Sequence, residues 1–258
     1  MKQESSVDGS WQKENVLHDA SGYSALLVGA TGLIGAALLR QLLRDPLVTM
    51  VTVIVRRPLE TKTLGRANEL SKLNMIVISF EDLDQTLEQV HADVVFCTLG
   101  TTIRVAKTQE AFRKVDYEYP LTLARFAERT NASLFSIVTA MGASSSSKIF
   151  YSRVKGELQD AIAKLSIPLV QVFQPSLLLG ERPQARPGEA FGAVVSKGLQ
   201  FVMVGPLRKY RPIKGEDVAL AMRRAAGQAG QMKAASKSSM IQYYSSDKIA
   251  DLALHTTG

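Results

Sequence analysis

Tyr151 and Lys155 stand four residues apart in Tyr151-Ser152-Arg153-Val154-Lys155. On a helix this spacing brings both side chains to one face. A phenol with an ordinary pKa of about 10 is a poor base at neutral pH, and a neighbouring ammonium favours its phenolate. A tyrosine so placed can give a proton to a carbonyl or take one from an alcohol. Twelve residues earlier, Thr139 ends an apolar run, and its hydroxyl is the expected partner of a substrate oxygen. Ser144, Ser145, Ser146 and Ser147 offer competing hydroxyls, although a serine run is ordinarily loop. A Tyr and Lys at this spacing are commonplace on helix surfaces, so their meaning depends on what surrounds them.

The elements that must position this pair begin at Gly29-Ala30-Thr31-Gly32-Leu33-Ile34-Gly35. An apolar run from Tyr23 to Val28 leads into this turn, and helix formers from Ala36 to Leu43 lead out of it. Strand, three glycines at three-residue spacing and helix together bring a backbone close to a pyrophosphate. Gly29 permits the tight turn, Gly32 leaves space for phosphates, and Gly35 lets the helix approach the strand. Unpaired N–H groups at the helix start complete the anion cradle. Gly29, Thr31, Gly32, Leu33, Ile34 and Gly35 are thus the expected cofactor contacts of this turn. Cofactor choice is read at the end of the next strand, residues 48–55, where Arg56 and Arg57 stand in place of an acid. A guanidinium pairs with a 2′-phosphate, whereas an acid would take the ribose hydroxyls, so NADP(H) is preferred and NAD(H) remains open.

The chain continues with strands expected at 74–79, 92–98, 134–139, 169–173 and 240–244. Helices are expected at 82–90, 107–129 with a boundary or kink at Pro120, 150–165, 216–226 and 246–254. Strands alternating with helices predict βαβ units and a parallel sheet. The fold class is α/β, a Rossmann-type doubly wound parallel sheet, and the family resemblance given below implies a small C-terminal substrate lobe from about residue 175. Residues 1–22 read as a flexible tail, 23–258 as one domain, and 180–192 and 227–239 as loops. The chain of 258 residues is 46% hydrophobic and 21% charged, the balance of a soluble globular protein. A net charge of +7 without a dense basic run predicts a basic surface around an anionic cofactor rather than nucleic-acid binding. No run of apolar residues is long enough for a membrane span, and the N-terminus lacks the apolar core of a secretory signal.

The single cysteine, Cys97, excludes an internal disulfide and suggests a cytoplasmic location; within an apolar strand it reads as an inert thiol. His18, His91 and His255 have no metal-ligand spacing, and no metal is expected. Asp116 reads as a helix-surface carboxylate outside the site, and Arg182, Arg186 and Glu189 as loop charges.

The glycine turn, Tyr151-x-x-x-Lys155 and an upstream hydroxyl resemble the short-chain dehydrogenase/reductase superfamily. Phe96-Cys97-Thr98-Leu99-Gly100-Thr101-Thr102, Lys114-Val115-Asp116, Val154-Lys155-Gly156-Glu157 and Arg186-Pro187-Gly188-Glu189 resemble its atypical Tat-interacting-protein branch. The resemblance covers about residues 23–254. It implies Tyr151 and Lys155 as the catalytic pair, with Thr139 at the place usually held by serine. It also implies Leu99, Gly100, Thr101 and Thr102 along the cofactor, and Pro175, Ser176, Leu177 and Leu178 beside the nicotinamide. Gln174 stands where the branch commonly has Arg, Ser79 where an acid often faces the adenine, a contact that can pass to Phe80 or the backbone, and Asp116 near where the superfamily places an Asn that orders a proton-relay water.

The expected function is NADP(H)-dependent hydride transfer to or from a small carbonyl or alcohol substrate. The alternatives are an NADP(H)-binding regulator with little turnover, or a nucleotide-sugar epimerase-like enzyme. A monomer or homodimer is expected.

Overall fold

The computed structural model describes residues 22–180, 205–231 and 239–254. Its central strand, β1 (Tyr23–Val28), sends Ala25 and Leu27 into one core and Leu26 and Val28 into the other. Burial on both faces is the requirement of an interior parallel strand. β2 (Val48–Val55) and β4 (Val94–Cys97) flank β1, both parallel to it. With β3 (Leu73–Val77), β5 (Leu134–Val138), β6 (Leu169–Gln174) and β9 (Met240–Ser245), the strands form a seven-stranded parallel sheet in the order β3-β2-β1-β4-β5-β6-β9. The order reverses between β1 and β4, and the crevice beyond the strand ends at such a reversal is where nucleotides bind in doubly wound sheets.

One face is covered by α1 (Leu33–Arg44) and α8 (Gly215–Gln231), whose Leu38, Leu39 and Leu42 share a core with Val218, Met222 and Ala225. The other is covered by α3 (Leu83–Leu87), α6 (Tyr119–Arg129) and α7 (Phe150–Ile162). Short helices α2 (Ala67–Leu70), α4 (Ile103–Ala106) and α5 (Gln109–Arg113) lie in the connections, and α9 (Ser246–Leu254) follows β9. The architecture is the Rossmann-type α/β fold expected from the alternation of elements.

Several expected boundaries are corrected. The helix anticipated over 107–129 begins as the short α5, with α4 a separate turn just before it, and a π-helical turn, Lys114–Glu118, then joins α5 to α6. Pro120 sits in the first turn of α6, where its missing N–H is tolerated, so the irregularity is the π turn and not a proline kink. Helix α8 runs to Gln231 through Gly227, although glycine lowers helix propensity by about 1 kcal/mol relative to Ala. The apolar face packed on α1 outweighs that deficit. A two-residue pairing of β7 (Leu178–Leu179) with β8 (Ile213–Lys214) is too short to show a period in sequence. In the region expected as a lobe, α8 and β9 belong to the Rossmann layers, and β7 with β8 stands apart from the main sheet. The expected tail, the loop at 181–192 and the positions of His18, His255, Arg182, Arg186 and Glu189 lie outside the described residues.

Candidate active site

The glycine turn joins the end of β1 to the start of α1. Gly29 has φ +103°, a left-handed conformation that favours glycine, and its carbonyl accepts the Gly32 N–H at 2.9 Å. A methyl group on Gly35 would overlap the Gly29 carbonyl oxygen and meet Thr98 Oγ1 at 2.6 Å. Gly35 therefore lets α1 press against both the turn and the end of β4. No side chain caps the start of α1, so its first N–H groups are presented by backbone alone. At Gly32 an added Cβ would meet only the Gly29 oxygen, at 3.3 Å, and open space remains beyond it. An uncapped helix start, exposed glycine and open space fit a pyrophosphate. Thr31 is exposed, whereas Ile34 is buried. The Leu33 side chain packs where a Cβ on Gly180 or Gly215 would fall, tying the turn to the C-terminal elements.

Arg56 and Arg57 are both exposed at the end of β2. The Arg56 guanidinium lies 5.9 Å from the centroid of Phe80, whose ring meets Tyr119 edge-on at 5.3 Å. Beside them the Lys114 ammonium donates to both Glu81 oxygens at 2.7 and 2.6 Å. That hydrogen bonding holds the Glu81 carboxyl below its ordinary range, against the opposing effect of burial. The Glu81 carboxylate is thus already paired with Lys114. Ser79 uses its hydroxyl to accept the Glu81 N–H at 3.4 Å.

Deeper in the crevice, α7 carries Tyr151 half-buried and Lys155 almost wholly buried. The Tyr151 ring packs at 5.6 Å from Phe112. Lys155 Nζ lies 2.8 Å from Asp116 Oδ1, and the other Asp116 oxygen accepts the Thr101 N–H at 2.8 Å. Burial alone would push the Lys155 ammonium down, but the Asp116 carboxylate and the Tyr151 phenol bring it above the ordinary lysine value. The adjoining Cys97 thiol is buried and pushed up to about 12, chiefly by desolvation, which suits an inert group.

Thr139 is buried at the end of β5, and its oxygen accepts from Gln159 Nε2 at 2.8 Å. Gln174 Nε2 in turn donates to Gln159 Oε1 at 3.2 Å. The Thr139 hydroxyl proton has only a 3.5 Å contact with the Phe173 carbonyl. Replacing Gln159 by Leu leaves one acceptor and one donor of this relay without their partner. An expected loss of roughly 1–3 kcal/mol follows, read by urea unfolding; an unchanged midpoint would refute the relay.

The segment after β4 links the two halves of the crevice. Thr98 touches the glycine turn, and a Cβ on Gly100 would lie 3.6 Å from Asp116 Oδ1 and 3.9 Å from Lys155 Nζ. Leu99 is half-buried, and Thr102 caps α4 by accepting the Val105 N–H at 3.3 Å. After β6, the Pro175 carbonyl accepts the Met141 N–H at 3.0 Å. The Ser176 hydroxyl donates to the Arg211 carbonyl and lies 2.9 Å from the Ser246 hydroxyl, so its polar group serves the fold. Leu177 is exposed, and Leu178 pairs with Ile213 in the small sheet.

Residues 29–165, more than half the chain, match a family model described as NAD(P)H-binding. The chain belongs to this NAD(P)H-binding family. Within it, the chain is Tat-interacting-protein-like. Rat Protein HTATIP2 is 36% identical over 167 residues, covering 64% of this chain and 67% of the relative. The mitochondrial protein FMP52 of Candida albicans is 32% identical over 199 residues, covering 76% and 84%. The solved Helicobacter pylori ADP-L-glycero-D-manno-heptose-6-epimerase superposes with a TM-score of 0.61 at 16% identity, covering 91% of this chain and 82% of that one. At that identity the likeness shows the fold alone.

For this family member the cytoplasmic location expected from sequence is corrected. FMP52 relatives in several fungi are named as mitochondrial, which points to the mitochondrion instead. One unpaired cysteine fits any reducing compartment and does not choose among them. Among the described residues no helix is long and apolar enough to cross a membrane.

Asp116 is the main correction within the site, being fully buried where a surface carboxylate was expected. A signal was available: Phe112, Asp116 and Pro120 recur every four residues, and both apolar neighbours are buried. Gln159 was also missed, although it follows Tyr151 and Lys155 at the same four-residue step along α7.

Proposed function

We propose that the chain is an NADP(H)-dependent oxidoreductase acting on a carbonyl or alcohol, with Tyr151 as acid/base, Lys155 beside it and Thr139 aligning the substrate oxygen. The observation that carries this reading is the segment Thr98–Thr101. It abuts the glycine turn at one end and the buried Lys155–Asp116 pair at the other. A nucleotide laid along that segment would run from the uncapped start of α1 toward Tyr151.

A nicotinamide held along this segment would supply or accept the hydride. Tyr151 Oη gives its proton to the substrate oxygen during reduction and recovers one during oxidation. Lys155, with its charge retained, offers donors to a ribose hydroxyl and places positive charge near the phenol. Thr139 is suited to donate to the same substrate oxygen, because its oxygen already accepts from Gln159 and its proton has no short partner. The backbone of Gly32, Leu33 and Ile34 would bind phosphate, with Gly29 and Gly35 shaping the turn and Thr31 at its rim. The Leu99–Thr102 and Pro175–Leu178 segments would border the remainder of the cofactor.

Arg56 and Arg57 would hold a 2′-phosphate. A charge-assisted hydrogen bond contributes about 1.5–3 kcal/mol, so Arg56→Ala with Arg57→Ala is expected to weaken NADPH binding roughly ten- to a hundredfold. NADH binding should change by less than about threefold, since it lacks the phosphate. Fluorescence titration of both nucleotides checks this, and equal losses for the two would remove the arginines from cofactor choice. The activity itself is tested by following NADPH oxidation with a panel of aldehydes and ketones. Tyrosine-dependent oxidation supports the reading; tight NADPH binding with no turnover on any member would leave a cofactor-binding regulator in its place.

A further inference from the structure

Aliphatic side chains stand in solvent on three neighbouring connections of the sheet. β4, β5 and β6 are adjacent and parallel, so the segments that follow them leave the same edge. After β4, Ile103 and Val105 on α4 are 39% and 51% exposed. After β5, Ile149 is 67% exposed, and after β6, Leu177 is 59% exposed. Ile149 holds the N-cap position of α7, just ahead of Tyr151. The connections after β5 and β6 meet where the Met141 N–H donates to the Pro175 carbonyl at 3.0 Å.

The backbones of these residues are held although their side chains are uncovered. The Val105 N–H donates to Thr102 Oγ1 at 3.3 Å, and the Ile149 N–H donates to Ser147 Oγ at 3.1 Å. The Ile149 carbonyl accepts the Arg153 N–H at 2.9 Å, and the Leu177 carbonyl accepts the Ile213 N–H at 2.9 Å. Singly exposed apolar residues are ordinary on a protein surface, but a set of them at the mouth of a crevice with a few polar groups inside marks a ligand site. Several polar groups within the crevice are spent on the protein itself. Lys155 and Asp116 neutralise each other, the Gln174 amide donates to Gln159, and the Ser176 hydroxyl donates to the Arg211 carbonyl.

We propose that the substrate is an alkyl aldehyde or ketone with an uncharged chain, its oxygen at Tyr151 and Thr139 and its chain laid over Ile103, Val105, Ile149 and Leu177. This rests on the oxidoreductase reading and narrows it. A nucleotide sugar is polar and anionic beyond its reacting carbon and finds no match in these four side chains. In reduction the carbonyl carbon takes the hydride and the oxygen takes the Tyr151 proton, giving the alcohol and NADP+. Each methylene withdrawn from water strengthens binding by up to about fourfold.

The experiment measures kcat/KM with NADPH for unbranched aldehydes from propanal to octanal. Lys107 and Lys148 are exposed on the same connections, so aldehydes of equal length ending in a carboxylate form the comparison series. Wild type, Ile149→Asn and Leu177→Asn are compared; both positions are exposed, so neither change disturbs the core. The expected result is a rise of about two- to fourfold per methylene, with the carboxylate-ended members below their uncharged counterparts. Each variant should lower the ratio of octanal to propanal by roughly threefold or more.

A second arm needs no turnover. Binding of unbranched primary carboxamides, propanamide to octanamide, is measured by calorimetry with and without NADPH, and the same gradient is expected. A binding gradient without any aldehyde turnover would support the alkyl site and remove the oxidoreductase reading, so the two failures are distinguishable. A flat carboxamide series, equal kcat/KM along the aldehyde series, preference for the carboxylate-ended members, or wild-type ratios in both variants would overturn the proposal. Self-association of the wild type that both variants abolish, read by sedimentation velocity, would also overturn it by giving these side chains to a second copy of the chain.

Discussion

Tyr151→Phe is expected to lower carbonyl turnover by about 10²- to 10⁴-fold, the usual contribution of a positioned acid/base. The substitution deletes one hydroxyl and keeps the ring. That ring packs against buried Phe112, a contact that phenylalanine repeats, so the first turn of α7 should keep its place. Lys155 keeps Asp116 as its partner in the variant, because the ion pair does not pass through the phenol. NADPH affinity should consequently stay within about threefold of wild type, since the phosphate and ribose contacts proposed here do not need the hydroxyl. Steady-state kinetics with a reduced aldehyde panel, paired with nucleotide titration, separates the two effects. A loss of affinity equal to the loss of turnover would mean that Tyr151 acts in binding and not in proton transfer.

The second large effect is expected at Gly35. In Gly35→Ala the new methyl collides with the Gly29 carbonyl and with Thr98 Oγ1, and two of those contacts belong to backbone that has no alternative rotamer. Relief requires α1 to move away from the turn. Forced overpacking costs about 1–3 kcal/mol, and Gly35 lies in the first turn of a helix whose face carries Leu38, Leu39 and Leu42 into the core. The same movement displaces the N–H groups proposed to hold pyrophosphate, so NADPH binding should weaken by at least about tenfold even where the variant remains folded. Denaturant unfolding and fluorescence titration measure the two consequences independently. Wild-type affinity in a folded Gly35→Ala variant would show that the nucleotide does not rest on the start of α1.

The outline of this fold was legible because its signals are local. The run Tyr23–Val28, the three glycines and the helix formers after them are consecutive in sequence, and each constrains the next. Tyr151 and Lys155 were legible for the same reason: they lie one helical turn apart. Asp116 was harder, because its meaning depends on Lys155, 39 residues away, and on a π turn that no helix propensity encodes. Its position between Phe112 and Pro120 did mark it as inward-facing, and a charge on an inward face calls for a partner. The relay Gln174–Gln159–Thr139 likewise joins two strands and a helix through amides whose pairing becomes apparent only in three dimensions. The β7–β8 pairing lacks any periodic signal at two residues per strand. Nothing in Ser176 as a residue type shows that Arg211 and Ser246 engage its hydroxyl.

The most direct measurement is isotopic. NADPH carrying deuterium at the transferable nicotinamide position is incubated with the protein and an accepted aldehyde, and the alcohol product is weighed by mass spectrometry. The account predicts an alcohol heavier by about one mass unit in the wild type and a nearly undetectable amount of it with Tyr151→Phe. Tight NADPH binding with no deuterium in any product, or equal transfer by both proteins, would contradict it.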